Sequence, residues 1–463
     1  MIHFAITLPP IIKTISDELS KQNYKAILVG GCVRDHFLDL PIKDYDIEVF
    51  GVENIETLER ILCKFGNVNL VGKSFGVLKF VYNEHEYDFS LPRIEEKTGF
   101  GHRGFSVVCD SSLDFKSAAI RRDFTINAMG YDIAQNKILD PFGGIEDIKN
   151  RVVKAVNKST FIQDPLRAYR AAQFCARFDF KLDSKTLGLC QEIVLKDEFA
   201  SLPKERIFVE FKKILLKSSK PSVGFELLRQ MGAINYFPEL YNIIDTPQSP
   251  IYHPEGDVWT HTMMVIDEMA KLKSGDKKFD LKLMFAALCH DFGKATHTQI
   301  YEGALKAIGH EDASVELAKK FLYRLTNEHG FISSVLPLVE HHAKPIIYFR
   351  NHAKDTAIRK LSTKVKISDL VILAKADFLG RAAKDALNGR FEAGEWLLKK
   401  AIELGVENAP PKQFLQGKDL IARGLKPSKQ FGEILHQIYN KQLNGEIKSK
   451  EDAFLYLSKI INL

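Results

Sequence analysis

The chain has 463 residues, of which 45% are hydrophobic and 27% charged, and its formal net charge is +6. This length and composition predict a soluble globular protein of several domains, and the mild positive charge permits an RNA partner without requiring one. The absence of an apolar run near 18 residues, of a signal-peptide pattern and of CxxC pairs predicts a cytoplasmic protein with reduced thiols and argues against a membrane protein.

The first 150 residues alternate strand-like and helix-like patterns. Residues 26–29, 46–50, 77–82 and 86–90 are β-like runs. The first run leads into GGCVRD at residues 30–35, where two glycines would let backbone N–H groups approach a phosphate at the start of a helix. A Gly-Gly pair is usually only a turn, so this motif by itself does not establish a nucleotide site.

Two carboxylates, Asp44 and Asp46, follow this motif. Residues i and i+2 of a strand point the same way, so both side chains can hold Mg²⁺ together. Paired acids beside a phosphate-binding turn predict two-metal phosphoryl or nucleotidyl transfer. Asp88, on a later strand, could be a third metal ligand, although an ordinary exposed strand acid would look the same.

The motif RRDFTINA at residues 121–128 places arginines, which suit triphosphate oxygens, beside an acid that could hold a ribose hydroxyl. In isolation it would be a surface Arg–Asp pair. From residue 147 to about 237 the pattern is helical.

Within this helical region, QDPLRAYR at residues 163–170 predicts a helix start with Asp164 as its cap. Arg167 and Arg170 are three residues apart and therefore share one face of this helix, which could simply be exposed to solvent.

A polar, Pro-rich break at residues 245–256 precedes a second helical block that runs to about residue 389. In this block His261, the pair His290 and Asp291 (in a helical run, 281–292) and then Asp377 follow the H…HD…D order of an HD-type metal site. Imidazoles with carboxylates suit a divalent transition metal such as Ni²⁺, Mn²⁺ or Co²⁺, which can activate water for phosphoester hydrolysis. Three further histidines could extend the site to a second metal, or could equally be ordinary surface or core residues: His310, His341 and His342.

Together these motifs resemble class II tRNA nucleotidyltransferases, the CCA-adding enzymes, which are related to bacterial poly(A) polymerases. GGxVRD, DxD, RRDxTINA, DPxRxxR and ERIFVE (residues 205–210) occur in the family's order, and the resemblance covers essentially the whole chain. It implies a DNA polymerase β-like head in which Asp44 and Asp46 bind catalytic Mg²⁺. It also implies that CMP and AMP are added to the tRNA 3′ end from CTP and ATP, without a nucleic-acid template.

The resemblance also implies roles for eight nucleotide-binding residues: Gly30, Gly31, Arg34, Arg122, Asp123, Asp164, Arg167 and Arg170. Arg122 and Asp123 would hold triphosphate and ribose, and Asp164 with Arg167 would read the Watson–Crick edge of the base. Gln163 replaces the family's usual Glu, which keeps an acceptor oxygen but loses a charge, and so bears on fidelity more than on the reaction. Residues 93–104 resemble the loop that helps the family switch from C to A addition.

Residues from about 250 to 383 resemble the HD domain fused to some CCA-adding enzymes. In such relatives this domain implies phosphohydrolase activity on 2′-nucleotides or 2′,3′-cyclic phosphates. Residues 417–427 resemble the family's C-terminal segment that engages the tRNA elbow. Their basic side chains fit phosphate contact, although a solvated helix and turn would look alike.

We therefore predict an α+β fold in which a DNA polymerase β-like head (1–146) precedes an all-α neck and body (147–244), an HD domain (245–389) and a helical tRNA-binding tail (390–463). A monomer and a homodimer are both compatible with the sequence. An enzyme that adds only CC or only A, or a poly(A) polymerase, would share every motif. The intact acids argue against an HD phosphodiesterase with an inactive head, and against a tRNA-binding protein without turnover.

Overall fold

The computed structural model describes residues 6–69, 76–97, 99, 105–427 and 429–461. The chain divides into two compact units, Met1–Tyr236 and Phe237–Leu463. The predicted head and most of the neck fall in the first unit, and the predicted HD domain and tail fall in the second. No helix among the described residues is long and apolar enough to cross a membrane.

The first unit is built on a mixed seven-stranded sheet. The strands of this unit are β1 (Lys25–Val29), β2 (Asp46–Phe50), β3 (Asn67–Asn69), β4 (Val77–Tyr82), β5 (His85–Ser90), β6 (Arg93–Lys97), β7 (Phe105–Cys109), β8 (Gly130–Asp132), β9 (Lys137–Leu139), β10 (Val152–Val153) and β11 (Lys181–Leu182). The order in the large sheet is β3-β4-β5-β2-β1-β8-β9. Strand β2 runs parallel to β5, and the register places Asp46 beside Asp88.

The central strands explain why the β-like runs were recognisable. Four consecutive residues are buried in each of β1 and β2, as expected for strands covered on both faces. The observed strands match the four predicted runs to within a residue. Residues 93–97, predicted as part of a loop, instead form β6, which pairs with β7. Residues 98 and 100–104 of that predicted loop lie outside the described residues.

Helices surround the sheet and continue beyond it. They are α1 (Pro10–Ser20), α2 (Gly31–Phe37), α3 (Ile55–Leu62), α4 (Phe115–Ala119), α5 (Gly144–Lys149), α6 (Lys158–Phe161), α7 (Leu166–Phe178), α8 (Ser184–Val194), α9 (Asp197–Ala200), α10 (Lys204–Lys217) and α11 (Ser222–Gln230). Helix α7 packs against α10 and α11. Fully buried aromatic side chains, including Tyr169, Phe211 and Phe225, fill this part of the core. The packing holds the start of α7 in a fixed position.

The second unit is almost entirely helical. Its elements are α12 (Pro238–Tyr241), α13 (Val258–Lys271), α14 (Lys277–Cys289), α15 (Lys294–His297), β12 (Gln299–Tyr301), β13 (Ala304–Lys306), α16 (His310–Leu325), α17 (His329–His341), α18 (Lys344–Arg350), α19 (Asp355–Ser362), α20 (Ile367–Leu379), α21 (Glu392–Glu403), α22 (Gly417–Ile421), α23 (Lys429–Leu443) and α24 (Lys450–Ile460). Helix α14 packs against α13, α17 and α20. It is apolar on all sides near its end, as a central helix should be.

Helix α14 ends at Cys289, so His290 and Asp291 follow it rather than lie inside a helix that continues to residue 292, as the sequence predicted. The apolar run continues past the helix end because Phe292 is buried as well. The last helices, α22 to α24, share a small core of their own. Its buried members are Leu415, Leu420, Ile438, Ile447, Ala453 and Leu457.

Candidate functional site

A cavity of about 630 Å³ in the first unit brings together four of the residues predicted to act on a nucleotide. Asp46 begins β2, and Asp44 lies two residues before it, ahead of the strand. Gly31 and Arg34, on α2, line the same cavity. The turn between β1 and α2 therefore faces the two acids across one space of nucleotide size.

Asp46 also borders a smaller cavity of about 230 Å³, together with Asp88 and Arg122. Burial raises the pKa of Asp46, Arg122 lowers it, and the charges of Asp88 and Asp44 raise it further. Asp88 also lies 3.4 Å from Lys79 Nζ. Carboxylates that repel one another beside solvent are suited to a hard divalent cation such as Mg²⁺, so the residues present fit the metal that the motif predicts.

Gly30 occupies a position that only glycine suits. Its φ is +76°, in the left-handed region, and an added Cβ would lie 2.8 Å from Arg122 Nη1. The glycine thus permits both the sharp turn from β1 into α2 and the close approach of the Arg122 guanidinium. The GGCVRD and RRDFTINA motifs are therefore in contact through Gly30 and Arg122, although 92 positions separate these two residues.

A buried hydrogen-bond chain joins three sequence motifs. The Arg34 guanidinium donates to Asp35 Oδ1 at 2.6 and 2.8 Å and to Asn127 Oδ1 at 2.6 Å. Asn127 Nδ2 donates to Asp123 Oδ1 at 2.9 Å, and Arg170 Nε donates to Asp123 Oδ2 at 2.7 Å. Asn127 was not singled out from the sequence, where its position inside RRDFTINA was the only signal.

Asp123 should contribute to stability in a pH-dependent way. Burial raises the pKa of Asp123, but Arg170, Asn127 and Arg167 lower it more, to about 2. Because this folded-state pKa lies below the unfolded value of about 3.9, the contribution is present above pH 4 and is lost as pH falls toward 2. We expect about 2–3 kcal/mol at pH 7, of which roughly half is lost by pH 3.

Urea unfolding of the wild type and of Asp123→Asn between pH 3 and pH 6 measures this contribution. The difference in unfolding free energy between the two proteins should shrink by roughly 1 kcal/mol as pH falls to 3. A difference that stays constant over this range would contradict the assignment.

The two residues predicted to read the base lie at the start of α7. Asp164 Oδ1 accepts a hydrogen bond from the Leu166 amide at 3.0 Å, although Pro165 and not Asp164, as the sequence predicted, is the N-cap residue of this helix. Arg167 donates to the main-chain carbonyls of Thr160 and Arg121 at 2.9 and 2.5 Å. Neither Asp164 nor Arg167 lines the two cavities that contain Asp46. Asp164 and Arg167 therefore lie at the start of α7 and do not share a cavity with Asp46.

Three cations at the larger cavity were not anticipated from the motifs. Lys43, Arg177 and Lys217 line it beside the two acids. Burial lowers the pKa of Lys217, and the positive charges of Arg177, Lys213 and Lys43 lower it further. Asp35, which lines the same cavity, lies 3.7 Å from Arg177 and offsets part of this positive charge, and the remaining positive charge suits an anionic ligand. No sequence signal links these residues because they come from a loop and two separate helix ends.

The second unit contains a buried cluster of the four predicted HD residues. His261 lies on α13, His290 and Asp291 follow α14, and Asp377 lies on α20. His261 Nε2 is 3.1 Å from Asp377 Oδ1 and 3.8 Å from Asp291 Oδ2, and His290 Nε2 is 3.2 Å from Asp291 Oδ2 and 3.8 Å from Asp377 Oδ1. Ligands about 2.1 Å from one ion would have roughly this mutual spacing.

The hydrogen bonding of this cluster fits a metal ion. Among the described residues, neither His290 Nε2 nor Asp291 Oδ1 has a hydrogen-bond partner, although both atoms are buried. Burial would raise the pKa of Asp377, but His261 and His290 hold it well below its usual range, so the carboxyl group is ionised. Buried polar atoms without partners are costly unless a cation completes them.

Several neighbours of the cluster were missed in the sequence. Glu255 Oε1 lies 2.9 Å from both His261 Nδ1 and His253 Nδ1, and Lys294 Nζ lies 2.6 Å from Asp291 Oδ2. A carboxylate on the far nitrogen of a ligand histidine fixes the ring's orientation. The cluster opens onto a cavity of about 340 Å³ lined by Asp291, Asp377 and Lys294 among others.

Comparison with known families gives three matches along the chain. Residues 26–154 match the Poly A polymerase head domain, residues 179–243 the "Probable RNA and SrmB- binding site of polymerase A", and residues 258–381 the HD domain. The Multifunctional CCA protein of Mannheimia succiniciproducens is 35% identical over 368 residues, which cover 76% of this chain and 84% of that protein.

Solved structures share the fold over nearly the whole length. The Bacillus stearothermophilus CCA-adding enzyme in complex with CTP superposes with a TM-score of 0.66 at 19% identity, covering 98% of this chain and 99% of the other. The Thermotoga maritima CCA-adding enzyme complexed with tRNA has a TM-score of 0.61 at 19% identity, covering 99% and 97%. These likenesses confirm the predicted α+β fold with a polymerase-type head and helical continuation.

Proposed function

The chain belongs to the multifunctional CCA protein family, and from this membership we propose that it adds CMP and AMP to the 3′ end of tRNA. The observation that carries the proposal is the meeting of Asp44 and Asp46 with Arg34 and three further cations around one cavity. Acids for a metal and cations for phosphates are the two requirements of nucleotidyl transfer. The named complexes of related enzymes with CTP and with tRNA support the same substrates.

In this proposal the tRNA 3′-OH attacks the α-phosphorus of the bound nucleotide, and pyrophosphate leaves. Mg²⁺ held by Asp44 and Asp46 would supply stabilisation of the negative charge that develops during transfer. Lys43, Arg177 and Lys217 bind the departing phosphates, which accounts for their concentration at the cavity. No side-chain nucleophile is needed, because the reaction is a single displacement.

The roles of the neighbouring motif residues follow from their contacts. Gly30 lets Arg122 approach the turn, from where its guanidinium binds triphosphate. Asp123 is held by Arg170 and Asn127, so that the α7 motif is positioned relative to the turn. Asp164 and Arg167 select the base at the start of α7. Gln163 is the neutral neighbour of this selecting pair.

For the second unit we propose metal-dependent phosphohydrolase activity on 2′-nucleotides or 2′,3′-cyclic phosphates. His261, His290, Asp291 and Asp377 would hold a divalent transition metal such as Ni²⁺, Mn²⁺ or Co²⁺, which supplies activation of water for phosphoester hydrolysis. The unpartnered buried atoms of the cluster support this assignment. Lys294 lines the same cavity, where its ammonium group would bind the phosphate of the substrate. We also propose that the protein works in the cytoplasm, because its six cysteines are free and thiols stay reduced there.

A primer-extension assay tests the nucleotide-adding activity. Transcripts that end before CCA, after C and after CC are each offered CTP, ATP or both, with Mg²⁺. We expect all three to grow to full-length CCA and then stop. Extension of only the CC-ended transcript would identify an A-adding enzyme, and extension of only the shorter ones a CC-adding enzyme. Long A tails would identify a poly(A) polymerase, and no growth on any transcript would overturn the proposal.

A further inference from the structure

The cavity of about 340 Å³ in the second unit continues away from the cluster of His261, His290, Asp291 and Asp377, here called the HD cluster. The acids that line this cavity, among the described residues, are Asp291 and Asp377, and both belong to the cluster. Four cations line it: Lys294, Lys306, Arg350 and Arg381. Its volume is at the small end of the range for small-molecule sites, about 300–1,000 Å³, and its positive charge suits a small anionic ligand.

Tyr252 presents an aromatic ring to this cavity, and 50% of its surface is exposed. The Arg350 guanidinium lies 5.8 Å from the centre of the ring, a cation–π contact that restrains the ring. Within the described part of the chain, Arg350 forms no ion pair with a carboxylate. A tyrosine ring that is accessible and also restrained can stack on a planar ligand at little cost in entropy.

The turn that carries Tyr252 is attached to the surroundings of the HD cluster on both sides. Before the turn, Gln248 Oε1 accepts a hydrogen bond at 2.7 Å from Lys294 Nζ, an ammonium group that contacts the cluster. After the turn, His253 Nδ1 lies 2.9 Å from Glu255 Oε1, and the same oxygen contacts a ring of the cluster. Tyr252 is therefore held at a fixed position relative to the cluster.

Apolar side chains complete the lining of the cavity. They come from strand β13 and the residue after it, and from helix α18 and the residue before it: Leu305, Ala307, Ala343 and Ile346. Ile346 also packs against a small core that contains Phe391, so this wall is supported from behind. An apolar wall and an aromatic ring are what a flat heterocyclic base requires, whereas a phosphate or a sugar phosphate gains nothing from them.

We propose that this cavity binds the nucleoside of the phosphohydrolase substrate, with the base stacked on Tyr252 and the phosphoester at the HD cluster. The inference deepens the proposed phosphohydrolase function, on which it rests, by assigning a residue that recognises the base. The cations of the lining attract the phosphate, and Tyr252 distinguishes a nucleotide from a phosphoester without a base. Tyr252 contributes to specificity and does not act on the reacting phosphate.

Hydrolysis of two matched substrates by the full-length, Mn²⁺-loaded protein tests this role. The substrates are 2′,3′-cyclic AMP and methyl riboside 2′,3′-cyclic phosphate, which lacks the base. We expect the parent protein to prefer the nucleotide about 5- to 150-fold in kcat/KM, the range expected for stacking of one base. Tyr252→Ala should reduce this preference to near one through a higher KM for the nucleotide, and Tyr252→Phe, which keeps the ring, should retain it. Tyr241→Ala, at a tyrosine with 51% exposure outside the cavity, should behave as the parent.

Photo-crosslinking gives a second result that does not depend on turnover. The full-length protein is irradiated with 8-azidoadenosine 2′,3′-cyclic phosphate in the presence of a chelator, which prevents hydrolysis. We expect tandem mass spectrometry to place a label within residues 248–253, and excess 2′,3′-cyclic AMP to remove it. The same concentration of the methyl riboside should leave the label in place, and Tyr252→Ala should lose it.

The outcomes distinguish this inference from the function on which it rests. Equal efficiency on the two substrates in the parent, or a preference that persists in Tyr252→Ala, would overturn the base site and leave the phosphohydrolase function intact. The absence of a label within residues 248–253 would also overturn the base site alone. If the parent hydrolyses neither substrate, the proposed phosphohydrolase function fails and this inference fails with it.

Discussion

Replacing Asp46 with alanine should reduce nucleotide addition by about 1000-fold or more, while the protein stays folded. Asp46 borders both the 630 Å³ cavity and the 230 Å³ cavity, and it lies beside Asp88 in the sheet register. In the proposed mechanism its removal takes away a metal carboxylate where charge develops during transfer, and losses that approach this size follow from removing one such stabilising group. Single-turnover extension of a CC-ended tRNA by ATP measures the effect.

Two matched variants make the Asp46 result specific. Asp46→Asn keeps the size of the side chain but not its charge, and it should be nearly as inactive as alanine. Glu53→Gln removes an exposed acid that follows the same strand and should leave the rate unchanged. Because the carboxylate pKa of Asp46 is raised by burial, stability should not fall in Asp46→Asn. Full turnover in either Asp46 variant would refute the metal assignment.

Replacing His290 with alanine should reduce phosphohydrolase activity at least about a hundredfold and leave nucleotide addition intact. The His290 ring is fully buried, and its unpartnered Nε2 faces Asp291. Losing a metal ligand costs more than the 10- to 100-fold typical of losing a residue that merely orients one. Hydrolysis of 2′,3′-cyclic AMP with added Ni²⁺ or Mn²⁺ is the measurement, with tRNA extension run on the same preparation.

The exposed His329 provides the control in the same unit, and His329→Ala should hydrolyse the cyclic phosphate at the parent rate. Asp46→Ala should remove only nucleotide addition, and His290→Ala should remove only phosphohydrolase activity. If His290→Ala loses both activities, or neither, the assignment of two separate chemistries to the two units fails.

The fold was predictable from the sequence where a local pattern sufficed. Strands β1 and β2 are short apolar runs between turn residues, and the motif order identified the polymerase-type head. Strand β6 was missed because its residues, RIEEK, are mostly charged, and its pairing partner begins eight positions further on. A strand of that kind is specified by its neighbour rather than by its own pattern.

In the candidate sites, too, some residues were predictable from a local motif and others were not. The order of His261, His290, Asp291 and Asp377 predicted the cluster of the second unit, whereas Glu255 and Lys294, which contact His261 and Asp291, were found only from the coordinates. Lys217 at the end of α10 could not be linked to Asp44 from sequence, because nothing local records that two distant ends meet. A motif identifies residues by their spacing along the chain, whereas tertiary packing determines which distant residues contact them.

The buried chain from Arg34 through Asn127 and Asp123 to Arg170 matters to anyone who recombines this enzyme with a relative. A chimaera whose crossover falls between residues 34 and 170 would combine halves of this chain of contacts from different parents. A buried donor or acceptor left without its partner costs about 1–3 kcal/mol, and more for a charged group. A crossover inside this span should therefore be tolerated only where the other parent carries the same side chains at these four positions, as a parent that shares the motifs at residues 30–35, 121–128 and 163–170 would.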